Sequence, residues 1–166
     1  FPDVPIDDQL RVLDVNLVAP LLLTPRLLQA GKVSTDGTIV FLCSLSHFVS
    51  YPGASVYAAS KDGIASYARS LRVALKPSGA RVLTVFPGPT RTEHARRYSP
   101  DNARESERML PEDLADQIVR AVQQKRRILV PGVRNRLAAC AGKWVPIAVE
   151  RAMARAMLGQ HESSGG

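Results

Sequence analysis

Short apolar runs alternate with longer amphipathic stretches along this chain of 166 residues. Residues 38–43, 81–86 and 128–130 are mostly apolar and rich in β-branched side chains, and glycine or proline adjoins each run. Runs of this length and composition are typical of buried strands. The sequence therefore predicts three strands.

The stretches around these runs repeat their apolar residues at helical spacing. We predict helices over residues 7–31 and 57–76, and a third helix that begins at Pro111. Pro20 and Pro25 lie inside the first helix and should kink or interrupt it. Strands that alternate with helices are typical of an α/β fold.

The C-terminal part of the chain differs in charge from the rest. Residues 120–160 carry nine Lys or Arg and a single acidic residue, Glu150, whereas residues 1–119 carry thirteen of each sign. The net charge of +7 therefore belongs to the C-terminal part. We divide the chain into a main domain, residues 1–133, and a basic amphipathic extension, residues 134–166.

Composition excludes several classes of protein. The 45% hydrophobic content is ordinary for a globular domain and argues against disorder. No uninterrupted run of about 18 apolar residues predicts a membrane span. Cys43 and Cys140 form neither a disulfide framework nor a metal-binding pattern, and no metal site is predicted elsewhere. A reducing, cytoplasmic setting fits this cysteine usage.

Tyr57 and Lys61 are the first candidates for chemistry. They are four residues apart, so on a helix both side chains project from one face, one turn apart. A phenol has an unperturbed pKa of about 10, and a neighbouring cation favours its ionised form. The pair is therefore a plausible general acid and base.

Ser44 adds a third polar group to this pair. It directly follows the predicted strand 38–43, and thirteen residues separate it from Tyr57. In open α/β sheets, ligands bind at the carboxyl ends of the strands. We expect Ser44 to lie at that edge and to hold a substrate oxygen.

These residues resemble the catalytic core of the classical short-chain dehydrogenase/reductase family. The Ser44-to-Tyr57 interval is the family's spacing, Val15-Asn16-Leu17 resembles its asparagine motif, and Pro87-Gly-Pro-Thr-Arg-Thr92 resembles its Pro-Gly-x-x-x-Thr motif. Four motifs in the right order form a specific match, which covers roughly residues 6–131. Ala19, where the family usually has glycine, is a mild departure.

The resemblance implies a fold and an activity. The fold would be α/β, the C-terminal half of a Rossmann-like doubly wound parallel sheet with helices on both faces. The activity would be hydride transfer between a nicotinamide cofactor, NAD or NADP, and a small-molecule carbonyl or secondary alcohol. A non-catalytic binding protein on the same scaffold is the alternative, because fold does not imply function.

The resemblance also implies a role for each matched residue. Tyr57 would exchange the proton, Ser44 would polarise the substrate oxygen, and Lys61 would lower the pKa of Tyr57 and bond the nicotinamide ribose. Asn16 would stabilise a helix kink and a water relay to the lysine. Residues that would contact the cofactor are Tyr57, Lys61, Pro87, Gly88, Thr90 and Thr92, with Thr90 standing where the family usually has an aliphatic residue.

The loop after Ser44 is the predicted substrate-binding segment. Leu45 and His47 are its candidate contacts, and the apolar residues around them weakly favour a lipid-like or aromatic substrate. His47 has a second interpretation as a solvent-exposed loop residue. In the family, the helices that carry Asn16 and Tyr57 often form the subunit interface, so a homo-oligomer is expected.

Residues 134–158 leave several interpretations open. They could cover the active site, contact a partner subunit, or make peripheral contact with an anionic membrane. A solvated C-terminal helix is the simplest interpretation. Nucleic-acid binding would use the same positive charge, but no recognised module is present, so no nucleic-acid partner is expected.

No glycine-rich turn appears in residues 1–37. A dinucleotide-binding fold needs such a turn at a helix N-terminus to hold the pyrophosphate, and a residue downstream to distinguish NAD from NADP. We therefore expect this chain to be the C-terminal portion of a longer one, with about 90 residues missing. We expect the fragment alone to be inactive.

Overall fold

The protein is described by a computed structural model that covers residues 4–49, 51, 54–98, 102 and 105–158. Its sheet has three parallel strands in the order β1 (Thr38–Leu42), β2 (Arg81–Val85) and β3 (Ile128–Leu129). In this register Thr38 lies opposite Arg81. All three predicted strands are therefore present, each one residue shorter than expected.

The helices connect and flank these strands. An α-helix, α1 (Ile6–Leu13), continues through a π-helical turn into α2, and further helices follow after β1, after β2 and after β3. Their bounds are Asp14–Val18 for the π-helical turn, Ala19–Gln29 for α2, Ser55–Ala74 for α3, Glu93–Tyr98 for α4, Pro111–Gln123 for α5, Val133–Trp144 for α6 and Pro146–Leu158 for α7.

The first helix departs from regular geometry at an unexpected place. The chain stays helical through both Pro20 and Pro25, and the irregular turn comes earlier, at Asp14–Val18. Pro20 lies in the first turn of α2, where a missing backbone N–H costs little. The distortion is therefore centred on the segment that contains Asn16.

Apolar residues pack on both faces of the sheet because side chains alternate along each strand. On one face Val82 and Phe86 pack with Ile64 and Ala68 of α3. On the opposite face two β2 residues, Leu83 and Val85, pack with residues of α5. Parallel strands covered by helices on both faces confirm the predicted α/β class.

The basic segment after β3 forms the two helices α6 and α7. Gly142 of α6 is buried against the backbone of Phe48, where an added Cβ would come 1.7 Å from the Phe48 carbonyl oxygen. Asn135, one turn into α6, approaches Gly88. Helix α6 therefore packs on the loops that follow β1 and β2.

Among the described residues, the helical stretch Ile6–Gln29 is long and apolar enough, by length and composition only, to cross a membrane. Charged residues such as Asp14 and Arg26 interrupt its apolar residues, so no membrane span was predicted from the sequence. Several of its large side chains are exposed, including Ile6 at 74% and Val15 at 71%. An exposed apolar face of this kind also fits contact with another protein surface.

Candidate active site

Ser44 lies where the sequence analysis placed it, just beyond the carboxyl end of β1. Its hydroxyl oxygen accepts a hydrogen bond from the Ser46 backbone N–H at 3.2 Å, at the start of a 3₁₀ turn, Leu45–His47. The Leu45 N–H donates to the Pro87 carbonyl at 2.9 Å. This bond joins the loop that begins at Ser44, residues 44–49 (the serine loop), to the Pro-Gly turn that follows β2.

Tyr57 and Lys61 meet Ser44 at this edge of the sheet. Tyr57 occupies the first turn of α3, and the Ser44 side chain is close enough to its phenol to favour the ionised form as a hydrogen-bond donor. The Lys61 Nζ lies 5.7 Å from the centroid of the Tyr57 ring and donates to the Leu42 carbonyl at 3.2 Å. The structure therefore brings together the serine, the phenol and the ammonium group.

Burial is the largest influence on the pKa values of Tyr57 and Lys61. It raises the pKa of the Tyr57 phenol above its ordinary value, and the hydrogen bond from Ser44 offsets only part of that rise. Burial also lowers the pKa of Lys61, which the nearby Cys43 partly counters. The sequence analysis expected Lys61 to lower the pKa of Tyr57. In the structure the net shift is upward, because desolvation outweighs the lowering by the Ser44 hydroxyl, and the protonated phenol is favoured.

Asn16 reaches the site through an intermediate residue. Its Nδ2 donates to the Ser60 Oγ at 3.3 Å, and the Ser60 hydroxyl donates to the Tyr57 backbone carbonyl at 2.6 Å. The π-helical turn carries Asn16 towards α3, and such turns are frequent at functional sites. The sequence analysis missed Ser60, which is completely buried.

The residues of the Pro-Gly motif line the loop after β2. Thr90 donates from its hydroxyl to the Gly88 carbonyl at 3.1 Å. The Thr92 hydroxyl accepts from the Ala95 N–H at 3.1 Å, at the start of α4. Both threonine hydroxyls therefore stabilise the loop conformation near the carboxyl end of β2.

His47 is half-buried and turned towards α3. Its Nδ1 lies 2.9 Å from the Asp62 Oδ1, and its ring stacks on Phe86 with centroids 5.1 Å apart. Leu45, also half-buried, is tied by its backbone to Pro87. The sequence analysis did not consider Asp62, although its position directly after Lys61 was a signal that could have found it.

Cys43 should be much less reactive than Cys140. Burial raises the pKa of the Cys43 thiol to about 12, whereas Cys140 is exposed on α6. Because the thiolate is the nucleophile, we expect iodoacetamide to alkylate Cys140 in the native protein at pH 8 while Cys43 stays unmodified. Peptide mass spectrometry gives the two rates separately. Equal rates in the folded protein would contradict the buried placement of Cys43.

Comparisons with known proteins identify the family and the fold. A family model for short chain dehydrogenases matches residues 1–103. The chain therefore belongs to the short-chain dehydrogenase family, as its motifs predicted. A short-chain dehydrogenase from Sphingobium yanoikuyae, solved in complex with NADPH, superposes with a TM-score of 0.70 at 26% identity. That match covers 89% of this chain and 59% of the bacterial one, and it confirms the Rossmann-like fold.

Two curated relatives carry more specific names. The NADP-dependent 3-hydroxy acid dehydrogenase of Schizosaccharomyces pombe is 27% identical over an alignment of 135 residues, and the match covers 77% of this chain and 52% of that enzyme. The NADPH-dependent 1-acyldihydroxyacetone phosphate reductase of Saccharomyces cerevisiae is 43% identical over 63 residues, 38% of this chain and 21% of that enzyme. The chain thus spans about half the length of the fission-yeast relative.

Proposed function

We propose that the full-length protein is an NAD- or NADP-dependent oxidoreductase that interconverts a carbonyl and a secondary alcohol. The observation that carries this proposal is the Tyr57 phenol close to Ser44, with the Lys61 Nζ 5.7 Å from the centroid of the same ring. Membership of the short-chain dehydrogenase family supports it. So do the NADP named for the fission-yeast relative and the NADPH bound in the Sphingobium structure.

The donors at the site fit the nicotinamide end of such a cofactor. The Lys61 ammonium group has three N–H donors, and the hydrogen bond described for it uses one of them. The others can bond ribose hydroxyls next to Tyr57. Pro87, Gly88, Thr90 and Thr92 would border the same end of the cofactor, since their loop is joined to the serine loop. When bound, the cofactor supplies or accepts the hydride.

In the direction of carbonyl reduction, each side chain of the site has a separate role. The Ser44 hydroxyl donates to the substrate carbonyl oxygen and stabilises the charge that develops there. The Tyr57 phenol, kept protonated by burial, gives its proton to that oxygen. Lys61 then stabilises the phenolate by its positive charge. Asn16 acts as a positioning residue, because its hydrogen bond reaches Tyr57 through Ser60.

We also propose that the protein forms a homo-oligomer through the helical stretch Ile6–Gln29 and α3. The exposed apolar side chains of the first stretch support this proposal, because monomers rarely leave such a face in water. The partner would be a second copy of the same chain. The substrate would be a small molecule that enters beside Ser44, with Leu45 and His47 as candidate contacts.

Lys61→Met tests the oxidoreductase proposal in the full-length protein. Because one residue serves both the proton transfer and the ribose, the variant should lower kcat and weaken NADPH or NADH binding, each by about tenfold or more. Turnover is measured by nicotinamide absorbance with a panel of carbonyls, and affinity by fluorescence titration. Lys76→Met, at an exposed lysine outside the site, is the matched control and should change neither quantity. Unchanged turnover and affinity in Lys61→Met would refute the proposed role.

A further inference from the structure

A cavity of about 380 Å³ lies behind the serine loop, between α3, the sheet and α6. Ligand pockets in proteins commonly enclose about 300–1,000 Å³. The residues that line this cavity are His47, Phe48, Ala65, Arg69, Arg72, Thr84, Phe86, Ile128, Gly142 and Lys143. Neither Ser44, Tyr57 nor Lys61 is among them, so the cavity is distinct from the three catalytic side chains, although it shares His47 with the proposed substrate contacts.

Positive charge is concentrated at this cavity. Arg69, Arg72 and Lys143 line it, and none of the described lining residues is acidic. Burial lowers the pKa of Arg72, and the charges of Arg127 and Arg69 lower it further. An anion placed beside these side chains would reduce the repulsion between them. The charge distribution therefore favours an anionic occupant.

Arg72 connects, by hydrogen bonds, the helix and strands that surround the cavity. It donates to the Val82 carbonyl at 3.3 Å, to the Thr84 hydroxyl at 2.7 Å and to the Arg127 carbonyl at 3.0 Å. These bonds join α3 to β2 and to the start of β3. Within the described part of the chain, no ion pair is recorded for Arg69 or Lys143, whose side chains are exposed. Those two groups are the donors left to bind a ligand.

The remaining walls are apolar. Phe48 and Phe86 meet edge to face with centroids 4.9 Å apart, and Ile128 leaves 54% of its surface exposed. Gly142 brings α6 close to Phe48 and so closes one side. An aliphatic or aromatic group placed here would cover apolar surface now open to water.

We propose that this cavity binds an amphipathic anion. The negatively charged head, a phosphate or a carboxylate, lies between Arg69, Arg72 and Lys143. The apolar body lies on Phe48, Phe86 and Ile128. His47 lines the cavity and is hydrogen-bonded to Asp62, the residue after Lys61, so the bound anion contacts the serine loop at His47.

Calorimetric titration of the full-length protein with octyl phosphate and with octanoate tests this proposal. Saturable binding is expected for at least one of them, and the stronger ligand identifies the preferred head group. Octanol lacks the charge and inorganic phosphate lacks the apolar body, so each should bind at least about tenfold more weakly. Repeating the titration at saturating NADPH should leave the affinity within about twofold of its value without NADPH, because none of the proposed cofactor contacts lines the cavity.

Paired variants locate the binding site. Arg69→Gln with Lys143→Gln removes two charges at exposed positions of the cavity and should weaken binding by about tenfold or more. Arg120→Gln with Lys76→Gln removes the same charge at exposed positions that do not line the cavity, and should retain the wild-type affinity. Equal affinity in the two double variants would overturn the proposal. So would tight octanol binding, absence of binding by both anions, or competition with NADPH.

Discussion

Replacing Tyr57 by phenylalanine in the full-length protein should reduce kcat by at least about 100-fold, the lower range for loss of a general acid. The substitution removes only the phenolic oxygen, which lies close to Ser44, and leaves the ring in its place beside Lys61. Because the ring keeps its packing, the affinity for NADPH or NADH should stay within a few-fold of wild type. Steady-state kinetics and fluorescence titration measure the two effects separately.

Tyr67→Phe is the matched control for this prediction. Tyr67 is also on α3, and its ring packs edge-on against Phe41 with centroids 5.8 Å apart. Removing its hydroxyl makes the same chemical change away from Ser44, so kcat should remain near the wild-type value. Near-normal turnover in Tyr57→Phe, with a carbonyl that wild-type protein reduces, would show that another group supplies the proton.

The strands and the Ser44–Tyr57–Lys61 group could be predicted because their signals are local in the sequence. An apolar run bounded by glycine or proline indicates a strand wherever it packs. Since Ser44 directly follows such a run, its place at the carboxyl edge of the sheet follows from the parallel topology. The four-residue spacing of Tyr57 and Lys61 likewise fixes their common helical face. Each of these predictions used one helix or strand and the residues directly next to it in the sequence.

The contacts that the sequence analysis missed join residues far apart in the chain. Asn16 and Ser60 are 44 residues apart, and Arg72 bonds the carbonyl of a residue 55 positions away. No periodicity in a single sequence indicates such pairs. The π-helical turn at Asp14–Val18 was missed for a related reason, because the prolines downstream were the stronger local signal of an irregular helix.

The pKa of Tyr57 depends on both nearby charges and burial, and residue types alone do not give the burial. The sequence places a lysine beside a tyrosine, and that proximity predicts a lowered pKa for the phenol. The structure adds the burial of Tyr57, which raises its pKa and outweighs the hydrogen bond from Ser44. Desolvation depends on the surrounding packing, so its size becomes known only once the fold is known.

The division of the chain at residue 133 was a prediction from charge, and a substitution in α6 tests it. Gly142→Ala should lower the free energy of unfolding by about 2 kcal/mol, within the usual cost of overpacking a well-packed contact. Its added Cβ would meet the Phe48 carbonyl oxygen at 1.7 Å, and backbone atoms cannot rotate away from such a contact. Urea denaturation followed by circular dichroism measures the change, and for a chain of this size the thermal midpoint should fall by about 4–8 °C.

Gly63→Ala makes the same substitution in the middle of α3 and serves as the comparison. There the added Cβ would meet the Leu17 Cδ1 at 2.8 Å, but that methyl group is the end of a flexible side chain and can move. Alanine also favours a helix over glycine by about 0.5–1 kcal/mol, which offsets the cost of moving Leu17. The stability of Gly63→Ala should therefore lie within about 1 kcal/mol of wild type.

If Gly142→Ala is equally well tolerated, α6 does not pack on the serine loop, and residues 134–158 form an independent extension. A loss confined to Gly142→Ala would instead make α6 part of the same folded unit as the Ser44–Tyr57–Lys61 site.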